Sequence, residues 1–134
     1  MKQSILFFIL LVIFNYTTAA QTTYTWNGGS GNWSEPTNWT PAGVPGAVDS
    51  AIIVTTGTIT LTTDITISGL SYTSANLTGD YNFLVTSTMN WNGGVIMGPG
   101  VITIDAGATL QLSGGNQQTL SRDLVNNGTT IWDA

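Results

Sequence analysis

The sequence has 134 residues, which is enough for one domain. It holds 2 Lys and Arg against 7 Asp and Glu, for a formal net charge of −5. A chain this poor in cations lacks the basic surface that phosphate backbones and anionic membranes attract, which argues against a nucleic-acid partner. Cysteine and histidine do not occur, which excludes disulfides, thiolate metal sites and His-based catalytic triads.

The N-terminus has the features of a secretory signal peptide, predicted over residues 1–20. Lys2 supplies a positive charge, Ile5–Phe14 is an apolar core, and Asn15–Ala20 is a polar, small-residue end. The apolar run is about half of the ~20 residues that a spanning helix needs, so a membrane anchor is the less favoured alternative. Cleavage between Ala20 and Gln21 removes Lys2 and changes the formal charge from −5 to −6. The pattern predicts a secreted, extracellular or cell-surface protein whose mature chain does not span a membrane.

A segment rich in Trp, Gly, Asn and Pro follows the leader over Tyr24–Gly46. Trp26, Trp33 and Trp39 are seven and six residues apart, which fits neither a helical stripe nor one alternating strand. The glycines and prolines between them are incompatible with a long helix. We therefore predict that residues 21–50 form an N-terminal cap, closed by its own aromatic rings, over the first rung of a repeat structure. In the alternative interpretation the three Trp rings are exposed and stack on sugar rings.

Two motifs in this region resemble a known class of proteins. W-N-G-G-x-G-N-W-x-x-P-x-N-W begins at Trp26, and V-P-G-x-x-D-x-A-x-I begins at Val44. Together they resemble the opening of exported bacterial surface proteins, such as autotransporter-like adhesins, in which a Trp/Gly-rich segment precedes right-handed parallel β-helix repeats. The second motif is also similar to the start of the G8 domain, an extracellular β-rich module. The resemblance covers Tyr24 to about Leu61 and implies a β-helix with an extracellular role, but proteins of this kind differ widely in function.

Residues 51–134 are short runs rich in β-branched residues, separated by Gly, Asn and Asp. Three patterns recur at offsets of 19, 21 and 21 residues: Leu77-x-Gly79-x-x-x-Phe83-x-Val85 as Ile96-x-Gly98-x-x-x-Ile102-x-Ile104, Met89-x-Trp91-x-Gly93-Gly94 as Leu110-x-Leu112-x-Gly114-Gly115, and Gly107-Ala-Thr-Leu110 as Gly128-Thr-Thr-Ile131. A period near 20 predicts an all-β fold, a right-handed parallel β-helix of about four coils whose inward side chains stack. A β-sandwich with regular hairpins is the alternative.

The last residues match the middle of a repeat, with Trp132 at a predicted inward position. An uncovered last rung exposes apolar side chains and unpaired backbone groups. We therefore expect a fragment, the N-terminal part of a longer surface protein with further C-terminal repeats.

Carboxylates are the remaining candidates for chemistry: Glu35, Asp49, Asp64, Asp80, Asp105, Asp123 and Asp133. A pair of them could cleave a glycosidic bond, and aspartates on neighbouring coils could bind calcium in a polysaccharide-degrading enzyme. Enzymes of that kind usually also supply Lys or Arg, and Arg122 is the one cation of the mature side chains. Most of the aspartates adjoin turn residues, which favours turn capping. We predict no catalytic residue, no metal and no cofactor.

The sequence thus predicts a non-catalytic, secreted or cell-surface β-solenoid segment that acts in adhesion or as a structural stalk. Its partners would be glycans or a host or matrix surface. The first alternative is a carbohydrate-binding module that uses Trp26, Trp33 or Trp39. A less favoured alternative is a β-helix enzyme that degrades polysaccharide, which requires two or three aspartates to converge on one face.

Overall fold

The computed structural model describes residues 19–133. The predicted signal peptide therefore lies outside the described residues except for Ala19 and Ala20, and Ala134 lies outside them too. The described part is all-β, with a short 3-10 helix at Pro36–Asn38. The strands in chain order are β1 Thr23–Trp26, β2 Gly31–Asn32, β3 Trp39–Thr40, β4 Ser50–Ile53, β5 Thr58–Thr60, β6 Ile65–Tyr72, β7 Asn76–Thr78, β8 Phe83–Trp91, β9 Gly94–Met97, β10 Ile102–Ile104, β11 Thr109–Ser113, β12 Gln118–Ser121, β13 Leu124–Asn126 and β14 Thr129–Asp133.

The strands form two sheets. The larger has nine strands: seven in the order β13-β10-β8-β6-β4-β1-β3, with β11 beside β8 and β14 beside β11. The smaller has five, in the order β12-β9-β7-β5-β2. Among the described strands only β1 and β3 pair antiparallel. The fold is a parallel β-solenoid of about four turns. The β-sandwich alternative is wrong, because a sandwich is built from antiparallel sheets.

Successive rungs repeat about every twenty residues. Along one column of the larger sheet Ser50, Gly69, Thr88, Thr109 and Thr129 are successive partners, at spacings of 19, 19, 21 and 20 residues. Two of the three predicted repeats are confirmed by this register. Residues of the first pattern pair with their counterparts 19 positions later, and residues of the second pair with theirs 21 positions later.

The third predicted repeat is wrong by one residue. Leu110 pairs with Thr130 rather than with Ile131. Because side chains alternate across a strand, this shift moves Ile131 to the outer face. Trp132 then lies in register with Leu112, on the inward column, as the sequence predicted.

The core lies between the sheets and consists of stacked apolar columns. Each coil places a residue of similar size against its counterpart one rung away, so that side chains remain in contact along the axis. The two main columns of the larger sheet are Tyr24–Ala51–Leu70–Met89–Leu110 and Ile53–Tyr72–Trp91–Leu112. Most of these side chains are buried, and each large one contributes about 1.5–3 kcal/mol by leaving water.

The Trp-rich segment both begins and closes the stack. Its strand β1 pairs in parallel with β4, and its strand β2 pairs in parallel with β5. On its other side β1 is covered by antiparallel β3, through Trp26 opposite Trp39. A covered edge cannot recruit a further strand, so β3 protects this end of the larger sheet.

Stacked glycines allow the coils to approach closely at one corner. Gly79 and Gly98 are 19 residues apart and have φ of +118° and +108°. A Cβ at Gly98 would lie 2.5 Å from the carbonyl oxygen of Gly79, and one at Gly79 would lie 2.4 Å from that of Leu61. Only glycine combines this backbone conformation with such close contact.

Candidate functional site

The three tryptophans that were candidates for sugar stacking form one buried cluster. Trp26, Trp33 and Trp39 have 2%, 0% and 1% of their surfaces exposed. The ring of Trp39 meets the other two edge to face, with centroids 4.9 Å from Trp26 and 4.7 Å from Trp33. Trp33 in turn meets Phe83, at the start of β8, with centroids 5.2 Å apart. The cluster therefore joins the N-terminal segment to the solenoid core.

This burial contradicts the sugar-stacking hypothesis for Trp26, Trp33 and Trp39. A ring that stacks on a sugar must present a face to solvent, and none of these three does. Their packing agrees with the alternative, in which the rings fill the space over the first coil. Trp132 is the tryptophan with a large exposed surface in the described chain, at 70%. Gln21, at the predicted cleavage site, is exposed together with Ala20.

The carboxylates of the solenoid are engaged with backbone N–H groups at turns. Asp49 accepts hydrogen bonds from the backbone of Thr22 at 2.9 Å and of Gly46 at 2.8 Å. Asp64 accepts one from the backbone of Asn82, one coil away, at 2.8 Å. These contacts are the turn caps that the sequence indicated. Within residues 19–133 there is no group of three acidic side chains that could hold a metal ion, and no helix long and apolar enough to cross a membrane.

Arg122 is buried, with 8% of its surface exposed, and binds backbone carbonyls of neighbouring coils. Its guanidinium donates to the carbonyl oxygens of Gly100 at 2.7 Å, Tyr81 at 2.8 Å and Gly79 at 3.0 Å. Burial lowers the pKa of Arg122, and the nearby carboxylate of Asp80 partly opposes that shift. The side chain thus holds two corners of the solenoid together, and its charge is directed inward rather than toward a ligand.

A groove crosses the outer face of the larger sheet over β1, β4, β6 and β8, with a volume of about 340 Å³. It lies beside a shift in register, where Ile67 pairs with Val85 but Gly69 pairs with Thr88. Over this interval β8 has one residue more than β6. Such a bulge bends the strand. A bend at this position accounts for the concave surface.

The groove is lined by short polar side chains and contains no charged one. Its chief polar residues are Thr23, Ser50, Ser68, Ser71, Thr88 and Asn90. At its rim the amide of Gln21 donates a 2.9 Å hydrogen bond to Oγ of Ser50. The arrangement can exchange hydrogen bonds with a neutral polar ligand. It offers no counter-charge to an ionic ligand.

Comparisons of the chain with protein-family models, with curated proteins and with solved structures found no match. The functional proposals therefore rest on the residues and geometry of this chain.

The groove was not predicted from the sequence, although a signal for it exists. Ser71 and Asn90 are 19 residues apart, as are Ser50, Gly69 and Thr88, so the outward polar positions follow the same period as the apolar core. The sequence analysis used that period for the apolar residues only. Applied to the polar positions, it would have placed these residues in adjacent rows on one outer face.

Proposed function

We propose that the protein is a non-catalytic, exported β-solenoid segment that acts in adhesion at an extracellular surface or as a rigid stalk. The observation that carries the proposal is the continuous parallel pairing of β1, β4, β6, β8, β11 and β14. Neighbouring strands in such a stack lie about 4.8 Å apart. The stack is therefore an extended scaffold that holds its outer side chains at fixed spacings, as both an adhesive surface and a stalk require.

The start of the ordered chain supports export with cleavage after Ala20. The backbone N–H of Thr22 donates to Asp49, and its carbonyl accepts from the backbone of Ser50 at 2.9 Å. The chain is thus attached to the solenoid from Thr22 onward, while Ala20 and Gln21 are exposed. A peptidase could cut between them without disturbing a strand.

The last rung supports the expectation of further coils in a longer form of the protein. Trp132 is in register with inward Leu112, and Leu120 is in register with buried Ile96. Both Trp132 and Leu120 are nevertheless exposed, at 70% and 43%. A further coil of the same period would bury both side chains. Without it, the 134-residue chain should self-associate in sedimentation velocity, and Trp132→Ser should reduce that association; a wild-type chain that is monomeric at high concentration would contradict the idea.

Export and function can be tested on the full chain. Expressed with its own leader in a bacterial host, the protein should leave the cytoplasm, and mass spectrometry should find Gln21 as its first residue. Beads coated with the secreted protein should be retained under flow on immobilised matrix proteins or polysaccharides if the segment is adhesive. Lack of retention on every surface would leave the stalk role alone. Release of new reducing ends from a polysaccharide would overturn the non-catalytic proposal.

A further inference from the structure

The groove over β1, β4, β6 and β8 has the hydrogen-bonding groups of a binding site. Ser71 and Asn90 are adjacent in the parallel register and project outward, because the residues on either side of each are buried. Ser87 is exposed beside the bulge at the same face. Neighbouring parallel strands are about 4.8 Å apart, so these hydroxyl and amide groups form a regular grid.

The floor of the groove is deepest at Gly69. In the row Ser50–Gly69–Thr88 the two outer members carry hydroxyl side chains and Gly69 carries none. Its φ lies outside the left-handed region, so the backbone conformation does not require glycine there. A Cβ at Gly69 would lie 2.6 Å from Oγ of Ser50 and would fill the space between the two hydroxyls. Glycine at this position therefore keeps the groove open.

Charge selects the class of ligand. The groove contains no charged side chain, and the single Arg of the chain is buried against backbone carbonyls on another part of the solenoid. Sulfated, phosphorylated or carboxylated polymers would meet no cation there, and the net charge of −5 would repel them. Ammonium groups would meet no carboxylate. A neutral ligand with many hydroxyl groups can match the grid without desolvating an unpaired charge.

We propose that this groove binds a neutral polysaccharide, with Ser71, Asn90 and Ser87 forming hydrogen bonds to its hydroxyl groups over the floor at Gly69. The proposal rests on the adhesive function above and names the ligand class that the adhesive surface recognises. It differs from the tryptophan hypothesis in position and in chemistry, because the groove has no aromatic side chain. Binding at one groove is therefore weak, and many copies on one surface provide the avidity that adhesion needs.

Affinity electrophoresis of the secreted protein in gels that contain a polysaccharide tests the proposal. The probes are the neutral polymers dextran, mannan and galactan, with dextran sulfate as the charged counterpart of dextran. We expect at least one neutral polymer to retard the protein and dextran sulfate not to do so. The double variant Ser71→Ala/Asn90→Ala should weaken the retarding interaction by about tenfold, since two hydrogen-bonding groups are lost. Gly69→Ala should weaken it as well, by filling the floor.

The matched control is Thr60→Ala/Thr78→Ala. These two threonines are also adjacent in a parallel register and project outward, but from the smaller sheet. This variant should be retarded as strongly as the wild type, and circular dichroism should show that all variants are folded. Equal retardation of the Ser71/Asn90 variant and the wild type overturns the groove assignment, as does preference for dextran sulfate. If no neutral polymer retards the protein while coated beads still adhere, the groove proposal fails and the adhesive function stands; if the beads do not adhere either, both fail.

Discussion

The indole N–H of Trp39 donates a 2.8 Å hydrogen bond to the backbone carbonyl of Trp33, while the two rings meet edge to face with centroids 4.7 Å apart. One side chain thus combines a buried hydrogen bond with the packing that joins the N-terminal segment to the core. The contact explains how a segment rich in glycine and proline keeps a defined structure over the first coil.

Replacement of Trp39 should therefore destabilise the whole domain. Trp39→Ala should lower the free energy of unfolding by about 3–5 kcal/mol, because it opens a cavity among buried rings. Trp132→Ala is a matched control, since the same side chain is removed from a position that is 70% exposed, and it should change stability by less than about 0.5 kcal/mol. Urea unfolding followed by far-ultraviolet circular dichroism measures both. Similar losses for the two variants would show that the cluster does not support the solenoid.

Arg122 provides a second test of how the coils are held together. Arg122→Met removes the donors to the carbonyls of Gly79, Tyr81 and Gly100 and should cost about 1–3 kcal/mol. Arg122→Lys keeps the charge but cannot reproduce the planar fork, so it should recover only part of the loss. Chemical unfolding of the three proteins measures the difference. A fully stable Lys variant would show that charge, rather than the geometry of the guanidinium, is what matters.

Stability should fall at alkaline pH because of Tyr72. Its hydroxyl donates to the backbone carbonyls of Ala75 and Val95, and burial raises its pKa above the usual 10. Above pH 10 the unfolded chain loses the tyrosine proton while the folded chain keeps it. The contribution is therefore complete below pH 10 and decreases by about 1.4 kcal/mol per pH unit above it.

Tyr72→Phe should remove this part of the alkaline loss, whereas Tyr81→Phe, at an exposed position, should not. Unfolding free energies between pH 8 and pH 11.5 provide the measurement. Parallel pH profiles for the wild type and the Tyr72 variant would contradict the prediction.

The close approach of coils at Gly98 can be separated from its backbone conformation. Gly98 and Gly107 both have positive φ, but a Cβ at Gly98 meets the carbonyl oxygen of Gly79 at 2.5 Å while one at Gly107 meets nothing within 4 Å. Gly107→Ala should cost about 1–2 kcal/mol from conformation alone. Gly98→Ala should cost about 1–3 kcal/mol more, because the coils must also separate. Thermal and urea unfolding measure both; equal losses would mean that the contact is relieved at no cost.

The stacking of coils could be predicted from the sequence where the repeat is strong. Leu77 and Ile96 begin two patterns with the same spacing of apolar and glycine residues, and they are partners in the structure. The prediction was wrong at Ile131, because Gly128 matched the earlier Gly107 while the strands pair one residue out of step with that match. A glycine in a turn can lie in either of two neighbouring positions, and the register then depends on contacts with the previous coil.

The tryptophans show a second limit of the sequence. Whether Trp26, Trp33 and Trp39 face the core or solvent depends on how their segment folds back over the first coil. Spacings of seven and six residues do not encode that, because a loop has no fixed period.

The sequence by itself determined an all-β solenoid with a period near 20 and a Trp-rich segment at its start, since periodicity is a local property that each coil repeats. Only the tertiary structure decided that the three tryptophans are buried, that Arg122 joins two corners, and that Ser71 and Asn90 face a shared groove. These features bring together residues from different coils. Their positions depend on strand register, on the bulge between Ile67 and Gly69, and on the bend that it produces.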